Sequence, residues 1–465
     1  MERTLTVKTP RALALLLSAF VIPHPSFASA PPNIVFILAD DLGIGDVGCY
    51  GGTAIATPNL DRMAAEGLRF TQAYSGSTVC APSRCALMTG RHSGHGIVRG
   101  NTFTPPEGQM PLPAGTFTLG TMLQRAGYTT GAFGKWSLGG PGSSGEPAWQ
   151  GFDAFFGYLC QNLAHEYYPA TLRRHAEAVP LDGRTYSHTL IFDEALKFIR
   201  EQRARPFFAY VPVTLPHGKL EVPDASAFAE KPWPQPVKNY AAMVALLDRD
   251  VGRLLALLKE LSLDENTLVF FTSDNGAEVS YFKERHAGTN VVPDYIRALR
   301  SHGALRGYKR DLYEGGIRVP LLARWPGKVK PGVSDHVCAF WDVLPTLAEL
   351  TAPPLPADPD GISFLPTLLG QGPQRAHPHL YWEFHEGGFA QAVRFGDWKA
   401  VRRGPQEAVE LYDLKTDASE TKDLSAAHPA EVRRAAALMQ SERTESSAFP
   451  VKETKTPGSG HAGLP

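Results

Sequence analysis

The chain has 465 residues, of which 43% are hydrophobic and 20% are charged, and its formal net charge at pH 7 is −1. This composition is typical of a globular protein, and the length suffices for one large domain with a smaller companion. The near-zero charge excludes binding to nucleic acid or to an anionic membrane by bulk electrostatic attraction.

The first thirty residues have the pattern of a secretory signal peptide. A cationic start up to Arg11 precedes the apolar run 12–22, and Ala28-Ser29-Ala30 fits a small-x-small cleavage site. The run is too short to span a bilayer, and no later stretch approaches about 18 uninterrupted apolar residues. We therefore expect the signal peptide 1–30 to be removed. The mature protein is then exported, periplasmic or extracellular, with no stable membrane insertion.

Export makes the cysteine count informative. An odd number in an oxidising compartment leaves at least one cysteine without an internal partner. Cys80 and Cys85 do not have the C-x-x-C spacing of a redox or zinc pair. One cysteine can therefore serve a purpose other than a bridge, and the pairing of the others is not readable. The five cysteines are Cys49, Cys80, Cys85, Cys160 and Cys338.

From Pro31 to about residue 350, apolar runs alternate with amphipathic stretches, which predicts an α/β domain. Four runs are apolar on both pleat faces, as in the buried strands of a sheet that is covered by helices. Between the last two, apolar residues three and four apart predict a helix over Tyr240–Leu261 that packs on the sheet. The four runs lead into Asp40-Asp41, Lys135, His217 and Asp274-Asn275.

The polar residues at these strand ends predict one shared site. Open α/β sheets bind ligands beyond the carboxyl ends of their strands. Each residue alone is explained as a turn or cap residue, but four such ends together favour a common site. Carboxylate and amide oxygens suit Ca²⁺, or alternatively Mg²⁺, whereas zinc is disfavoured because no His/Cys cluster has ligand spacing. The predicted metal ligands are Asp40, Asp41, Asp274 and Asn275.

The stretch CAPSRCALMTG (80–90) predicts a short helix that begins at Cys80. Pro82 suits a first helical turn, and Gly90 is a natural stop. A helix N-terminus favours a bound anion, and Arg84 can fork two hydrogen bonds to a tetrahedral oxyanion. A buried cysteine with Arg84 in an ordinary salt bridge explains the same residues equally well.

Cys80-Ala81-Pro82-Ser83-Arg84, followed by Leu87, Thr89, Gly90 and Arg91, resembles the signature of the type I sulfatases. These belong to the alkaline phosphatase superfamily and include the arylsulfatase and N-acetylgalactosamine-6-sulfatase type. In that family a formylglycine-generating enzyme oxidises the cysteine to Cα-formylglycine, whose aldehyde hydrate is the nucleophile. The implied fold is α/β, with a large mixed, mostly parallel sheet flanked by helices and a small C-terminal antiparallel sheet with a helix. The implied parts are a catalytic domain over 31–375, a small domain over 376–450 and a disordered tail over 451–465.

The resemblance also implies roles for individual residues. The hydrate at residue 80 attacks sulfur, cations spread the charge of the sulfate, and His217 or Lys309 protonates the departing oxygen. The second hydroxyl of the hydrate then expels sulfate and restores the aldehyde. The implied catalytic residues are Cys80, Arg84, Lys135, His217 and Lys309, and the implied metal site is Asp40, Asp41, Asp274 and Asn275 with residue 80.

One position departs from the family pattern. The family commonly reads GKWHLG, and its histidine is thought to assist sulfate release, whereas this chain reads GKWSLG with Ser137 at that position. A serine is not a base near neutral pH without an activating group. His165 is the candidate replacement, although a purely structural role explains it equally well. The adjacent Tyr167 and Tyr168 can alternatively form a wall on which a sugar stacks.

Ser137 and His165 are also expected in the substrate subsite. Four further residues are expected there with loop packing as the alternative for each: Arg99 and Asn101 at the pocket rim, His302 and His385. Together these features predict an exported sulfatase that acts on a sulfated small molecule or glycan. A phosphate or phosphonate monoester hydrolase on the same scaffold stays open, as does a non-catalytic binder of sulfated glycans.

Overall fold

The computed structural model describes residues 1, 31–278, 299–351, 353, 355 and 359–451. The predicted signal peptide and the predicted disordered tail lie outside these residues, apart from Met1 and Val451. Among the helices within the described ranges, none is both long and apolar enough to cross a membrane.

A ten-stranded mixed sheet organises the larger part of the chain. Its strand order is β11-β2-β10-β9-β1-β8-β4-β5-β6-β7, with the following bounds: β1 (Asn33–Ala39), β2 (Leu68–Phe70), β4 (Thr129–Lys135), β5 (Ala154–Tyr158), β6 (Thr171–Arg174), β7 (Glu177–Pro180), β8 (Phe207–Pro212), β9 (Thr267–Ser273), β10 (Leu321–Arg324) and β11 (Gly332–Ser334). The central strands β9, β1, β8, β4 and β5 pair in parallel. Antiparallel neighbours flank them on both sides. The predicted large, mostly parallel sheet is confirmed.

Helices cover this sheet and the chain that follows it. Their bounds are α1 (Pro58–Ala65), α2 (Cys80–Thr89), α3 (Leu119–Arg125), α4 (Ser187–Glu201), α5 (Gln235–Glu260), α6 (Glu314–Ile317), α7 (Val343–Thr351), α8 (Leu365–Leu369) and α9 (Pro429–Ser441). The helix predicted over Tyr240–Leu261 begins earlier, at Gln235, with a proline in its first turn. Proline is tolerated there because the first N–H groups of a helix have no partner within it.

Strand β1 shows why the central runs are apolar on both faces. Val35 and Ile37 pack in one hydrophobic cluster, while Ile34, Phe36 and Leu38 pack in another on the opposite face. All five side chains are fully buried. A strand that is buried on both faces cannot alternate polar and apolar residues, which is the pattern read from the sequence.

A second, antiparallel sheet is formed by β13 (Leu380–Phe384), β14 (Ala390–Phe395), β15 (Trp398–Arg402) and β16 (Glu410–Asp413), and helix α9 packs against it. A two-stranded ladder pairs β3 (Ala73–Tyr74) with β12 (Cys338–Ala339). Trp382 donates from its indole N–H to the carbonyl of Ser75 at 3.0 Å. Both sheets belong to one compact unit that begins at Pro32, and the boundary between residues 375 and 376 stays a prediction.

A buried lysine between two glutamates links this small sheet to the larger part of the chain. Lys399 Nζ lies 2.9 Å from Glu314 Oε1 and 2.9 Å from Glu420 Oε1, and all three side chains are fully buried. Burial opposes ionisation of Glu314, but Lys399 and nearby arginines lower its pKa to about 2. Burial and the charge of Glu314 outweigh Lys399 at Glu420 and raise its pKa to about 7. Lys399 therefore stabilises the ionised form of Glu314 fully and that of Glu420 only in part.

This pair gives the fold a pH-dependent stability. The pKa of Glu420 in the fold, about 7, lies above its ordinary value of 4.5. Ionised Glu420 therefore costs stability; the cost is absent below about pH 4.5, grows through the window up to about pH 7 and is complete above it. Glu420→Gln removes this titration, so its melting temperature relative to wild type should rise between about pH 4.5 and about pH 7 and then stay level. Glu407→Gln, at an exposed loop position, is the control. A difference that stays constant with pH would contradict the assignment.

Candidate active site

The predicted site residues meet at one edge of the large sheet. Asp40 directly follows β1, Lys135 ends β4, His217 lies five residues beyond β8, and Asp274 directly follows β9. These four strands are consecutive in the order β9-β1-β8-β4 and run in parallel. Their carboxyl ends therefore deliver the polar side chains to the same place.

Three carboxylates and one amide form a buried oxygen cluster at this edge. The Asp41 N–H donates to Asp274 Oδ1 at 3.2 Å, and Asn275 Nδ2 donates to Asp41 Oδ1 at 2.6 Å. Asp40, Asp41, Asp274 and Asn275 are all fully buried. Asn275 Oδ1 has no hydrogen-bond partner within the described part of the chain. A buried amide oxygen without a partner is costly, and a bound hard cation would satisfy it.

Three cations are interleaved with the carboxylates. Lys135 Nζ lies 2.7 Å from Asp40 Oδ2, and Lys309 Nζ lies 2.7 Å from Asp41 Oδ1. Arg84 donates to Asp274 Oδ2 through Nε at 3.1 Å and through a terminal nitrogen at 2.8 Å, and also donates to the carbonyl of Lys135. Three positive and three negative side chains thus share one buried volume.

The cations distribute protonation unevenly over the carboxylates. Burial opposes ionisation of Asp40, but Lys135, His217 and Arg84 hold its pKa well below the ordinary range. Lys309 leads the charges that overcome the same burial at Asp41 and lower its pKa to about 2. Burial and the neighbouring Asp40 raise the pKa of Asp274 to about 6 despite Arg84. Asp40 and Asp41 are therefore the firmly charged members of the cluster.

Cys80 lies inside this cluster at the first residue of α2. Its Sγ is 3.4 Å from Asp40 Oδ1 and 3.3 Å from Lys309 Nζ. Helix α2 ends at Gly90, whose φ of 67° is the left-handed conformation that glycine adopts readily. Burial raises the pKa of the Cys80 thiol, with Asp40 adding to the effect. None of the five cysteines, all of which the structure describes, forms a disulfide.

Two stacked histidines border the cluster. His217 Nε2 lies 3.4 Å from Asp41 Oδ2, and its Nδ1 donates to the carbonyl of Gly218 at 2.6 Å. The ring of His165 stacks on that of His217 with centroids 4.0 Å apart. Burial lowers the pKa of His217 to about 4 and that of His165 to about 2. Both rings are therefore neutral near pH 7.

Ser137, the position that departs from the family motif, lies next to Lys135 with its side chain buried. Its φ is 66°, and its N–H donates to the carbonyl of Leu159 at 3.3 Å. Its Oγ has no partner among the residues that the structure describes. The hydroxyl thus has no base beside it in the described residues that would activate it.

The residues predicted for the substrate subsite do not all come together. Arg99 was expected at the pocket rim, but it is buried, because Glu383 of β13 and Thr444 take up its guanidinium at 2.9 Å. Asn101 caps α2, since its Oδ1 accepts from the Ala81 N–H at 3.0 Å. These contacts, and not a free rim position, are what the structure shows for both side chains.

The two predicted subsite histidines also have protein contacts. His385 Nε2 lies 2.9 Å from Glu383 Oε1, and its ring packs near Phe389. His302 packs edge-on against Tyr308, and its Nδ1 has no partner in the described ranges. His302 is thus the one of the two with an unsatisfied nitrogen.

Tyr167 corrects the suggestion that the Tyr167-Tyr168 pair forms a sugar-stacking wall. Tyr167 is fully buried and stacks on Tyr186, so it offers no face to a ligand. Its hydroxyl donates to the carbonyl of His217 at 2.7 Å, which fixes the backbone of that histidine. The sequence carried no signal for this role, because the two residues are 50 positions apart.

Comparison with known proteins shows which families and which individual proteins have sequences similar to this chain. The Sulfatase family profile matches residues 32–353, and a profile described as N-sulphoglucosamine sulphohydrolase, C-terminal, matches residues 303–444. The chain is 36% identical over 430 residues to arylsulfatase A of Homo sapiens, covering 84% of this chain and 78% of that protein. It is 30% identical over 508 residues to an N-acetylgalactosamine-6-O-sulfatase of Bacteroides thetaiotaomicron, covering 90% and 94%.

Solved structures agree with the sequence relatives. The crystal structure of Ps i-CgsB in complex with k-i-k-neocarrahexaose superposes with a TM-score of 0.76 at 29% identity, covering 91% of this chain and 95% of that one. A further structure of Ps i-CgsB gives a TM-score of 0.77 at 30% identity, with the same coverage.

Proposed function

This chain belongs to the sulfatase family and is a sulfuric ester hydrolase, and from that premise we propose that it hydrolyses sulfate monoesters of a carbohydrate at Cys80. One observation carries the proposal: the side chain of Cys80 lies between Asp40 and Lys309 in a buried cluster that also contains Arg84 and Lys135. This arrangement surrounds the candidate nucleophile with the cations that a sulfate group requires.

The relatives support a sulfated glycan as the substrate. One is an N-acetylgalactosamine-6-O-sulfatase, and one structural neighbour was solved with k-i-k-neocarrahexaose bound. In both cases the match to this chain extends over more than nine-tenths of the other protein's length. These two relatives favour a sulfated sugar as the natural substrate class.

Cys80 is proposed to act as Cα-formylglycine. Its thiol is fully buried, and burial raises its pKa, so the unmodified side chain is a poor nucleophile near neutral pH. Once formed, the hydrated aldehyde supplies the nucleophilic oxygen. Oxidation by a formylglycine-generating enzyme then belongs to maturation, together with export after removal of residues 1–30.

The oxygen cluster is proposed to hold Ca²⁺, with Mg²⁺ as the alternative. Asp40, Asp41, Asp274 and Asn275 would hold it together with residue 80, and the partnerless Asn275 Oδ1 supports this assignment. The donors are hard oxygens, which these cations prefer. A bound divalent cation would supply positive charge to stabilise the sulfate group. Because three basic side chains already balance the three carboxylates, such an ion makes the site net positive.

The basic side chains of the cluster have separate tasks. Lys135 and Arg84 are positioned to neutralise sulfate oxygens, since both are fully buried beside Asp40. Lys309 keeps its proton, because Asp41 and Cys80 outweigh burial and raise its pKa well above the ordinary value. His217 is neutral and must first take up a proton. Lys309 and His217 therefore stay the two candidates for protonating the departing sugar oxygen.

The test is to co-express the chain with a formylglycine-generating enzyme and to measure both maturation and activity. The peptide that contains Cys80 should lose about 18 Da when the thiol becomes an unhydrated aldehyde. Release of sulfate from sulfated monosaccharides should exceed release of phosphate from the matching phosphates. Chelation should remove the activity, and Ca²⁺ or Mg²⁺ should restore it.

Two outcomes would redirect the proposal. Faster turnover of the phosphates would assign the scaffold to phosphate monoester hydrolysis. A protein whose Cys80 stays a thiol under these conditions, and which binds sulfated sugars without cleaving them, would be a sulfated-glycan binder.

A further inference from the structure

We propose that His165 binds a hydroxyl group of the sugar next to the sulfated carbon and so selects sugar sulfates over simple sulfate esters. This inference rests on the proposed function, because it assigns a substrate contact within the same site. His165 lies in a turn, Leu163–His165, that follows β5, the strand next to β4. It therefore comes from the same sheet edge as Lys135 but from a different loop.

The contacts of His165 place it at the side of the cluster where His217 and Lys309, the two candidate proton donors, lie. Its ring stacks face to face on His217, with an interplanar angle of 22°. His217 in turn lies between His165 and Asp41, whose carboxylate Lys309 contacts. A sugar whose sulfate lies among the cations extends outward past Lys309 and His217, so its next hydroxyl groups come toward His165.

His165 also has an unused polar atom. Its Nε2 is buried and has no hydrogen-bond partner among the described residues. Buried polar atoms are nearly always hydrogen-bonded, so this nitrogen is expected to gain a partner when the site is filled. Ser137 Oγ, two residues beyond Lys135, also lacks a partner among the described residues.

The charge of the His165 ring determines which kind of substrate group can bind to its Nε2. Lys135 and Lys309 add to burial in disfavouring the protonated ring. A neutral imidazole does not attract the sulfate anion as a cation does, but it can either accept a hydrogen bond from a hydroxyl group or donate one to it. Leu163, in the same turn, is exposed, and Glu166, which follows His165, forms an ion pair with Lys219. The surroundings of His165 therefore combine polar and apolar groups, as a sugar ring requires.

The experiment compares His165→Ala and His165→Asn with wild type on sulfated monosaccharides and on 4-nitrophenyl sulfate, which has no neighbouring hydroxyl group. The ratio of kcat/KM for sugar sulfate over aryl sulfate should fall about 10- to 100-fold in His165→Ala, since one buried hydrogen bond to the substrate is lost. His165→Asn keeps a donor and an acceptor and should recover part of the ratio. His428→Ala, on the surface beside α9, is the control.

A binding measurement separates this inference from the catalytic proposal. In a Cys80→Ala background, which cannot turn over, calorimetry should show weaker binding of the sulfated sugar when His165 is also replaced, with binding of inorganic sulfate changed less. An equal fall of kcat on both substrate classes would overturn the inference and assign His165 to proton transfer. Unchanged ratios and affinities would overturn it as well. If wild type does not turn over either substrate, the proposed function fails, while the binding result still decides the role of His165.

Discussion

Replacing Cys80 by alanine is expected to abolish sulfate-ester hydrolysis, lowering kcat by at least about 10⁴-fold. Alanine cannot become formylglycine, so the nucleophile is lost while Asp40 and Lys309 stay in place. The substitution removes one sulfur atom from a cluster that is otherwise held by ion pairs, so folding should survive. Steady-state sulfate release and thermal unfolding, measured on the same preparation, check both points.

Cys85→Ala is the matched control for this variant. Cys85 is also fully buried in α2 but packs in the apolar layer beneath the sheet, away from the carboxylates. Its replacement should cost stability through a small cavity and leave kcat nearly unchanged. If Cys80→Ala kept a substantial fraction of wild-type activity, Cys80 would not be the nucleophile, and the proposed chemistry would be wrong.

Arg84→Met is expected to lose both activity and stability. Arg84 makes two hydrogen bonds to Asp274 and one to the carbonyl of Lys135, all in a fully buried environment. Without it Asp274 stays buried with no cation in contact, which costs about 3–5 kcal/mol of the free energy of unfolding. Loss of a buried donor that we propose to bind the sulfate should also lower kcat/KM by about 10²- to 10³-fold. Chemical denaturation and steady-state kinetics below the melting temperature measure the two effects.

Arg324→Met separates the loss of an ion pair from the loss of catalysis. Arg324 is almost fully buried as well and contacts Glu66 and Asp264, each at 2.6 Å. It pairs with Val269 near the start of β9, whereas Asp274 follows the end of that strand. This variant should lose stability and keep the kcat/KM of wild type. Equal loss of activity in both variants would show that the Arg84 effect is structural only.

The central strands and the residues at their ends were readable because both follow local rules. A strand that is buried on two faces must be continuously apolar, and its end must be polar where it leaves the core, as at Asp40 and Asp274. The CAPSR stretch likewise contains its own helix start and stop. These patterns need only neighbours in sequence, so they predicted the sheet, the helix at Cys80 and the convergence of the strand ends.

The surroundings of the site were less predictable, because they depend on contacts between distant residues. Arg99 and Glu383 are 284 positions apart, and nothing in either local sequence predicts the ion pair that keeps Arg99 from the rim of the pocket. The same holds for Tyr167, whose hydroxyl supports His217 from a neighbouring loop. A polar residue in a loop reads as a ligand contact until its partner is known.

The cap on helix α2 has a consequence for how this protein can change over evolutionary time. Asn101 holds the Ala81 N–H next to Cys80, and its own backbone N–H donates to Glu386 in the loop after β13 at 3.0 Å. A residue from the small sheet thus supports the backbone that presents residue 80. The two parts cannot be recombined as interchangeable modules: a sheet acquired by gene fusion from elsewhere would have to bring an acceptor at this position. We therefore expect the two parts to have been inherited together, and a fragment that stops before the small sheet to lack an ordered backbone at residue 80.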